Sequence, residues 1–362
     1  MVEILPNRPR KGRGAVTNAS GRYEPHQRVA VDDGWNTDPT EAESLPPLRT
    51  HVTLDSSRTV IARNRSPDVP FDRSINPYRG CEHGCVYCFA RPSHAWLGLS
   101  PGLDFETRLF AKPDAPRLLE VELAKPSYRP EVIALGTNTD PYQPIERRME
   151  IMRGILEVLW RARHPVGIVT KSNLILRDLD ILTPMAAAGL ARVMISLTTL
   201  KSDLARIMEP RAPRPGLRRA AIRGLAEAGV PVGVLTAPLI PALNDEEMEA
   251  LLEAAAGAGA GSAGYVLLRL PLEIKALFEE WLEAHFPDRK ARVLKLVRET
   301  RGGKLYETQW YTRQRGRGPY AELLERRFAL ACTRLGLNRG AWSLDTTQFR
   351  RPKLPSDQLE LL

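Results

Sequence analysis

Three of the four cysteines in this 362-residue chain lie on one short stretch, and their spacing is its clearest chemical signal. The stretch reads Cys-Glu-His-Gly-Cys-Val-Tyr-Cys, with thiols at Cys81, Cys85 and Cys88, whereas Cys332 lies far away in the sequence. Three thiolates on one loop can converge on a single soft metal centre. A structural zinc ion and an ordinary cubane cluster each take four protein ligands. The loop therefore predicts a four-iron cluster that keeps one iron open for a substrate.

Two alternatives remain for this cysteine loop. His83 or His94 could complete a zinc site, because imidazole is a common zinc ligand. The three thiols could also stay without any metal. A zinc deaminase is disfavoured, since neither the Pro-Cys-x-x-Cys signature nor an upstream His-x-Glu is present.

The composition indicates a globular protein of a reducing compartment. The hydrophobic fraction of 43% is ordinary, and cysteines clustered in this way do not form a disulfide framework. The first six residues lack the apolar core of a signal peptide. No run of about 18 apolar residues is available to span a membrane. We therefore predict a cytoplasmic protein with no membrane segment.

The net charge of +9 is concentrated near the end of the chain. Residues 289–340 hold fourteen Lys or Arg and four Glu, which leaves the rest of the chain near neutral. The same stretch carries Tyr306, Trp310, Tyr311 and the basic run from Arg313 to Gly318. Basic groups interleaved with aromatic rings suit a phosphate backbone whose bases stack on those rings. We predict contact with nucleic acid through residues 289–340; the alternative is a lid whose aromatics pack on the rest of the protein.

The apolar pattern divides the chain into three regions. Residues 1–68 are rich in Pro, Gly and Arg and predict an extended, partly disordered N-terminal arm. Residues 69–288 alternate continuously apolar strands with helices, which is typical of a parallel α/β fold. Residues 289–362 form the basic C-terminal extension. A Rossmann sheet is disfavoured, because no Gly-x-Gly-x-x-Gly turn follows the first strand.

Six strands are predicted, at residues 74–79, 132–136, 166–170, 192–197, 230–237 and 264–270. A helix is expected over 146–160, and another over 244–256 begins with a capping box made by Asn244 and Glu247. Six strand and helix units predict a partial (β/α)6 TIM-like barrel. In such barrels the chemistry lies at the carboxyl ends of the strands.

Polar segments follow five of these strands in turn. They read Asn76-Pro77-Tyr78-Arg79-Gly80, then Gly136-Thr137-Asn138-Thr139-Asp140, Thr170-Lys171-Ser172, Ser196-Leu197-Thr198-Thr199 with Met208-Glu209-Pro210-Arg211, and Ala237-Pro238-Leu239. Together with the C-x3-C-x2-C spacing and the aromatic Tyr87, this series over residues 70–290 resembles the radical S-adenosylmethionine (SAM) superfamily. Within it, the series is similar to the spore-photoproduct-lyase-like branch, also called DNA repair photolyase-like.

The resemblance implies a radical SAM core and a [4Fe-4S] cluster on Cys81, Cys85 and Cys88. It further implies an enzyme that cleaves SAM reductively to a 5′-deoxyadenosyl radical, with electrons from a flavodoxin or ferredoxin. A nucleic-acid substrate is expected from the branch and from the basic tail. The alternatives are a peptide, protein or small-molecule substrate, or a metal-stabilised nucleic-acid-binding protein without catalysis.

The strand-end residues would then hold the cofactor. Those expected to bind it are Tyr87, Gly136, Thr137, Asn138, Asp140, Lys171, Ser172, Ser196 and Arg211. A glycine at a strand end lets the backbone approach the methionyl amine closely. Lysine and arginine are natural partners for the methionyl carboxylate, and the serine hydroxyls can bond a carboxylate or a ribose.

One feature departs from the spore photoproduct lyases, which use an additional cysteine near the second strand as hydrogen donor. No cysteine occurs between Cys88 and Cys332, and this argues against the strict lyase activity. We expect Cys332 to be a small buried residue on a helix over residues 319–335.

Overall fold

The computed structural model describes residues 8–28, 48–340 and 343–354, together with the backbone of 3–4 and 31–32. The strands are β1 (Glu3–Ile4), β2 (Val31–Asp32), β3 (His51–Leu54), β4 (Ile61–Arg63), β5 (Arg73–Ile75), β6 (Tyr78–Arg79), β7 (Arg108–Ala111), β8 (Ile133–Leu135), β9 (Val166–Thr170), β10 (Ala191–Ser196), β11 (Val232–Leu239) and β12 (Ser262–Leu267).

The α-helices are α1 (Asp104–Thr107), α2 (Ala115–Ala124), α3 (Glu146–Met149), α4 (Ile151–Arg161), α5 (Leu179–Ala187), α6 (Ser202–Met208), α7 (Pro215–Glu227), α8 (Met248–Ala256), α9 (Ile274–His285), α10 (Pro287–Glu299), α11 (Thr312–Arg315) and α12 (Pro319–Leu335). Short 3₁₀ helices cover Arg91–Leu97, Asn173–Asp178 and Asp245–Glu247. Within the described ranges, no helix is long and apolar enough to cross a membrane.

A seven-stranded sheet in the order β12-β11-β10-β9-β8-β5-β4 lies at the centre of the described part of the chain. The strands β5 and β8 to β12 pair in parallel, and β4 pairs antiparallel with β5 at one edge. Helices α5, α7 and α8 pack against β10 and β11. Alternate strand residues, such as Ile168, Val193 and Ile195, are buried in the main core, whereas the residues between them are partly exposed. The predicted α/β fold with its six parallel strands is confirmed.

Part of the N-terminal region packs onto this barrel. Strand β4 extends the main sheet, and β3 joins β7 and β6 in a separate three-stranded sheet. The prediction for residues 1–2, 5–7, 29–30 and 33–47 of the arm lies outside the described residues. Within the described part of the arm, residues 51–54 pair with β7 and residues 61–63 pair with β5, so both segments are held by strands that come later in the chain.

The helix predicted over 146–160 is wrong as a single element. It breaks at Glu150, whose φ of 49° ends α3 before α4 begins. The buried carboxylate of Glu146 accepts a hydrogen bond from the backbone N–H of Met152 at 3.0 Å and so satisfies one donor at the start of α4. The same carboxylate bonds Tyr78 and Arg177, which ties the break to the barrel.

The predicted capping box at Asn244 and Glu247 is also wrong. The Asn244 side chain accepts from the Ile240 N–H at 2.6 Å and donates to the carbonyl oxygens of Thr198 and Pro238. Glu247 instead accepts from the Thr199 hydroxyl and from the Leu200 N–H. Both side chains therefore join the ends of β10 and β11 to α8 instead of capping the helix.

The C-terminal helices pack on the barrel. Val293, Leu294 and Val297 of α10 are buried against α9, and Leu324 and Phe328 of α12 belong to the main core. Helix α12 has the predicted bounds. Cys332 lies buried on it, as expected, among the apolar residues of the main core.

Candidate active site

A cavity of about 610 Å³ opens at the carboxyl ends of the parallel strands. The cysteine loop forms one side of it, residues within and just after β8 to β12 form another, and residues between Ala62 and Ser74 together with Arg313 and Gln314 complete the lining. Carboxyl ends of parallel strands meet at one edge of a sheet, which is why residues far apart in sequence converge here.

Cys81, Cys85 and Cys88 all line this cavity. Backbone hydrogen bonds fold their loop: the Gly84 N–H donates to the Cys81 carbonyl at 3.3 Å, and the Cys88 N–H to the Cys85 carbonyl at 3.2 Å. Gly84 has a φ of 67°, a conformation that favours glycine. Burial raises the pKa of Cys85 to about 12. Without a cation the thiol stays protonated, and a bound metal would ionise it.

A buried ion pair supports the outer side of the cysteine loop. Arg91 donates to Glu106 at 2.5 Å and to the carbonyl oxygens of Cys85 and Gly84. Glu106 also accepts from the N–H groups of Gly14 and Ala15. A Cβ at Gly14 would come within 1.8 Å of the Gly84 carbonyl oxygen. The N-terminal segment therefore lies directly against the loop.

The two histidines near the loop are held by other groups. His94 Nε2 lies 2.9 Å from the Arg108 carbonyl oxygen, and His83 Nδ1 lies 3.4 Å from an Asp140 oxygen. No three His, Cys, Asp or Glu side chains of the described ranges come close enough to hold a single metal ion. A cubane offers a separate iron to each thiolate and suits a more widely spaced set of sulfurs. The loop thus fits a cluster better than one zinc ion.

Gly136, Thr137, Asn138 and Asp140 line the cavity after β8. Gly136 has a φ of 84°, and a Cβ there would lie 2.0 Å from the Val169 carbonyl oxygen, so the turn requires glycine. The Asn138 N–H donates to the Asn76 side chain at 3.0 Å.

Asp140 ties this turn to its neighbours. Its carboxylate accepts from Thr170 Oγ1 at 2.6 Å and from the N–H groups of Lys171 and Tyr142. Burial acts to raise the pKa of Asp140, but the charge of His83 and these hydrogen bonds lower it to about 2. Much of its acceptor capacity is therefore used within the protein.

Lys171 and Ser196 also line the cavity and meet there. The Lys171 ammonium donates to Ser196 Oγ at 3.1 Å, lies 5.7 Å from the centre of the Tyr87 ring, and stands 3.6 Å from Glu209. Glu209 is fully buried and also accepts from Tyr87 and Arg218. Although burial acts to raise the pKa of Glu209, the charges of Arg218 and Lys171 lower it to about 2. Lys171 and Arg218 therefore share one buried anion, and of these two cations Lys171 is the one that lines the cavity.

Two predicted cofactor residues do not line the cavity. Ser172 caps the 3₁₀ helix that follows β9, accepting from the Leu174 N–H at 3.2 Å. Arg211 pairs with Glu82 at 3.1 Å, and its N–H donates to the His83 carbonyl oxygen. Both side chains therefore support the residues around the site.

Sequence reasoning missed four residues of this region: Glu209, Arg218, Phe89 and Arg269. Glu209 lies in the polar segment after β10, so its position at a strand end was a usable signal. Phe89 directly follows Cys88, and Arg269 comes two residues after β12. Nothing in the local sequence of Arg218 indicates that α7 brings it to Glu209.

The basic run of the tail is largely occupied by contacts within the protein. Arg313 forms a bidentate pair with the buried Asp68, both contacts at 2.6 Å. Arg315 stacks 4.2 Å from the Tyr265 ring centre, and Arg317 lies 3.3 Å from Glu307. Local charge in the sequence therefore overstates the charge available to a phosphate backbone.

Known proteins resemble this chain over the same region. Residues 75–255 match the radical SAM superfamily. An uncharacterised protein of Mycobacterium tuberculosis is 38% identical over 242 residues, which cover 66% of this chain and 71% of that protein. An uncharacterised protein of Methanocaldococcus jannaschii is 29% identical over 173 residues, covering 48% and 62% of the two chains.

Among solved structures, spore photoproduct lyase complexed with dinucleoside spore photoproduct has a TM-score of 0.56 at 18% identity, covering 79% of this chain and 80% of that one. A variant of that lyase with bound AdoMet and the same ligand has a TM-score of 0.54 at 16% identity, with the same coverage. At such identities the likeness shows the fold alone. The superfamily match spans half of the chain, and with the cavity and its three cysteines it establishes that this protein belongs to the radical SAM superfamily and uses a [4Fe-4S] cluster and SAM.

Proposed function

We propose that this radical SAM enzyme acts on a nucleic acid, with its cluster on Cys81, Cys85 and Cys88. The observation that carries the proposal is that one cavity joins the three thiols, the Lys171 and Ser196 pair, and a rim with arginines and an exposed aromatic ring. When bound, the cluster supplies the electron that cleaves SAM to methionine and a 5′-deoxyadenosyl radical, which removes hydrogen from the substrate.

The protein's own groups would bind SAM by charge and shape. The Lys171 ammonium and the Ser196 hydroxyl, which both line the cavity, suit the methionyl carboxylate and would receive it. The turn at Gly136 gives the methionyl amine close access to backbone and to the side chains of Thr137 and Asn138. The Tyr87 ring, fixed through its hydroxyl by Glu209, would bound the cofactor on the side of the cysteine loop.

Support for a nucleic-acid substrate comes from the rim of the cavity. Arg63, Arg269 and Arg313 line it together with Phe89, which is 45% exposed. Cationic groups beside an open ring suit a phosphate and a stacked base. The fold is also that of a lyase whose structure holds a dinucleoside photoproduct. With no cysteine between Cys88 and Cys332 in the sequence, a modification or a repair reaction with another hydrogen donor is favoured over the strict lyase reaction.

The electron donor and compartment follow from the same chemistry. The three thiols of the loop are unbridged, with Cys81 and Cys85 buried and Cys88 partly exposed, and a low-potential cluster on them requires a reducing environment. We therefore expect a cytoplasmic location and electrons from a flavodoxin or a ferredoxin.

The test is anaerobic turnover with and without nucleic acid. The reconstituted protein is reduced with dithionite in the presence of SAM, and 5′-deoxyadenosine is quantified by chromatography. We expect slow basal release and faster release with single-stranded or ultraviolet-irradiated DNA. Substrate deuterated at the sugar or base should transfer label to 5′-deoxyadenosine. If no nucleic acid changes the rate and no label moves, a peptide or small molecule becomes the better substrate class.

A further inference from the structure

Arg269 differs from the other cationic side chains that line the cavity. Lys171 faces Glu209 at 3.6 Å, Arg313 is paired with Asp68, and Arg63 lies 3.5 Å from Asp72. No carboxylate of the described residues lies within ion-pair distance of Arg269. Its polar side-chain partner is the neutral Gln314, at 3.5 Å. The guanidinium is therefore a cation in the cavity wall without a compensating anion.

The surroundings of Arg269 increase the need for an anion. Its buried Nε has no hydrogen-bond partner among the described residues, and a buried donor without a partner carries a free-energy cost. A second buried arginine, Arg301, lies nearby and bonds the carbonyl oxygens of Leu267 and Leu268. Burial, followed by the charge of Arg269, lowers the pKa of Arg301 to about 10. The second guanidinium adds positive charge beside Arg269 in this part of the cavity wall.

Phe89 places a flat ring under this cation. The Arg269 guanidinium carbon lies 5.2 Å from the ring centre, a cation–π distance. Because Phe89 immediately follows Cys88, its half-exposed ring stands at the edge of the cluster loop and faces the cavity. A bound group could contact the ring and the guanidinium at the same time.

We propose that Arg269 and Phe89 form the substrate-recognition site, in which Arg269 binds a phosphate and Phe89 stacks on an adjoining base. The inference rests on the proposed nucleic-acid substrate and names the part of it that is recognised. A guanidinium fork matches the geometry of phosphate oxygens, and a phenyl ring accepts any base face. Recognition of one nucleotide step beside the cluster would hold a sugar or base within reach of the radical.

The test varies charge on both partners. The protein is the reconstituted full chain with SAM bound and the cluster unreduced. The ligands are thymidylyl-(3′→5′)-thymidine and its uncharged methylphosphonate analogue, titrated calorimetrically. We expect wild-type protein to bind the phosphodiester more tightly than the analogue, by roughly tenfold to a hundredfold for a lost charge-assisted hydrogen bond. In Arg269→Gln that preference should fall to near one, whereas Arg269→Lys should keep part of it.

Two further variants serve as comparison and control. Phe89→Ala should weaken both ligands by a similar factor, roughly fivefold to a hundredfold, because stacking does not depend on the phosphate charge. Arg206→Gln removes an exposed arginine that pairs with Asp203 at 2.9 Å and does not line the cavity, and it should leave the preference intact. Iron content and SAM affinity should be unchanged in all of these variants, which shows that they fold and bind cofactor.

The outcomes separate this inference from the proposed function. If wild-type protein binds neither dinucleotide nor longer oligonucleotides, the nucleic-acid substrate fails and the recognition site fails with it. If wild-type protein prefers the phosphodiester and Arg269→Gln keeps that preference, only the recognition site is overturned. If Arg269→Gln instead loses SAM affinity, the cation serves the methionyl carboxylate and the assignment to substrate is wrong.

Discussion

Glu209→Gln tests the network behind the cavity most directly. The carboxylate is buried and interacts with three side chains from separate elements: Tyr87 of the cysteine loop, Lys171 after β9 and Arg218 of α7. Glutamine keeps the shape and one acceptor of glutamate but removes its charge. Lys171 and Arg218 would then lie next to each other with no anion between them.

Two lines of reasoning give a similar loss in the free energy of unfolding for Glu209→Gln. The pKa of Glu209 is lowered from 4.5 to about 2, and a shift of that size corresponds to about 3 kcal/mol in favour of the charged form. Removing one partner of a buried ion pair typically costs about 3–5 kcal/mol. We therefore expect Glu209→Gln to lower the free energy of unfolding by about 3 kcal/mol.

The assay is urea unfolding of the cluster-free protein at neutral pH, followed by circular dichroism. Glu246→Gln provides a matched control, because Glu246 pairs with Lys201 at 2.6 Å on the surface, where the two side chains are 65% and 55% exposed. Its loss should cost less than about 1 kcal/mol. Equal destabilisation by the two variants would refute the reasoning, since it would mean that burial of Glu209 adds nothing to its pairing.

Three further predictions concern the cofactors and the tail. Cys85→Ala should abolish iron binding in anaerobic reconstitution, whereas Cys332→Ala should retain about four irons; stoichiometric zinc in place of iron would contradict the cluster assignment. Lys171→Ala should weaken SAM binding, measured by equilibrium dialysis, at unchanged iron content, and unaltered affinity would place the carboxylate elsewhere. The hydrogen bond from Arg313 lowers the pKa of Asp68, so this pair should stabilise the protein above a pH of about 4 and lose that effect as the pH falls further. Urea unfolding should show wild-type and Asp68→Asn proteins converging in acid; a constant difference would argue against the ion pair.

The sequence by itself was enough to predict the fold class and the cysteine loop. Strands of a parallel sheet are rich in apolar residues, so β9 and β11 stand out as hydrophobic runs, as does β10 apart from Arg192. Cys81, Cys85 and Cys88 share one short loop, so their three thiolates can converge on one metal centre. This limits the kinds of metal site that the loop can form. Residues just after each strand could be predicted to lie close together, because the carboxyl ends of parallel strands meet at one edge of the sheet.

Only the tertiary structure decided which of those residues face the cavity and which charges remain unpaired. Ser172 directly follows Lys171 after β9, and Arg211 lies in the polar segment beyond β10. Their side chains nevertheless bond a helix end and the cysteine loop and do not line the cavity. Side-chain direction after a strand depends on the turn that follows, which local residue types do not fix.

The tertiary structure also decided which arginine charges are available to a ligand. Arg313 pairs with Asp68, 245 positions earlier in the chain, whereas Arg269 is left facing the cavity without an acidic partner among the described residues. Sequence composition counts both as equal positive charges. Their availability to a ligand depends on which acidic residues the fold brings within ion-pair distance, and that is a property of contacts between distant parts of the chain.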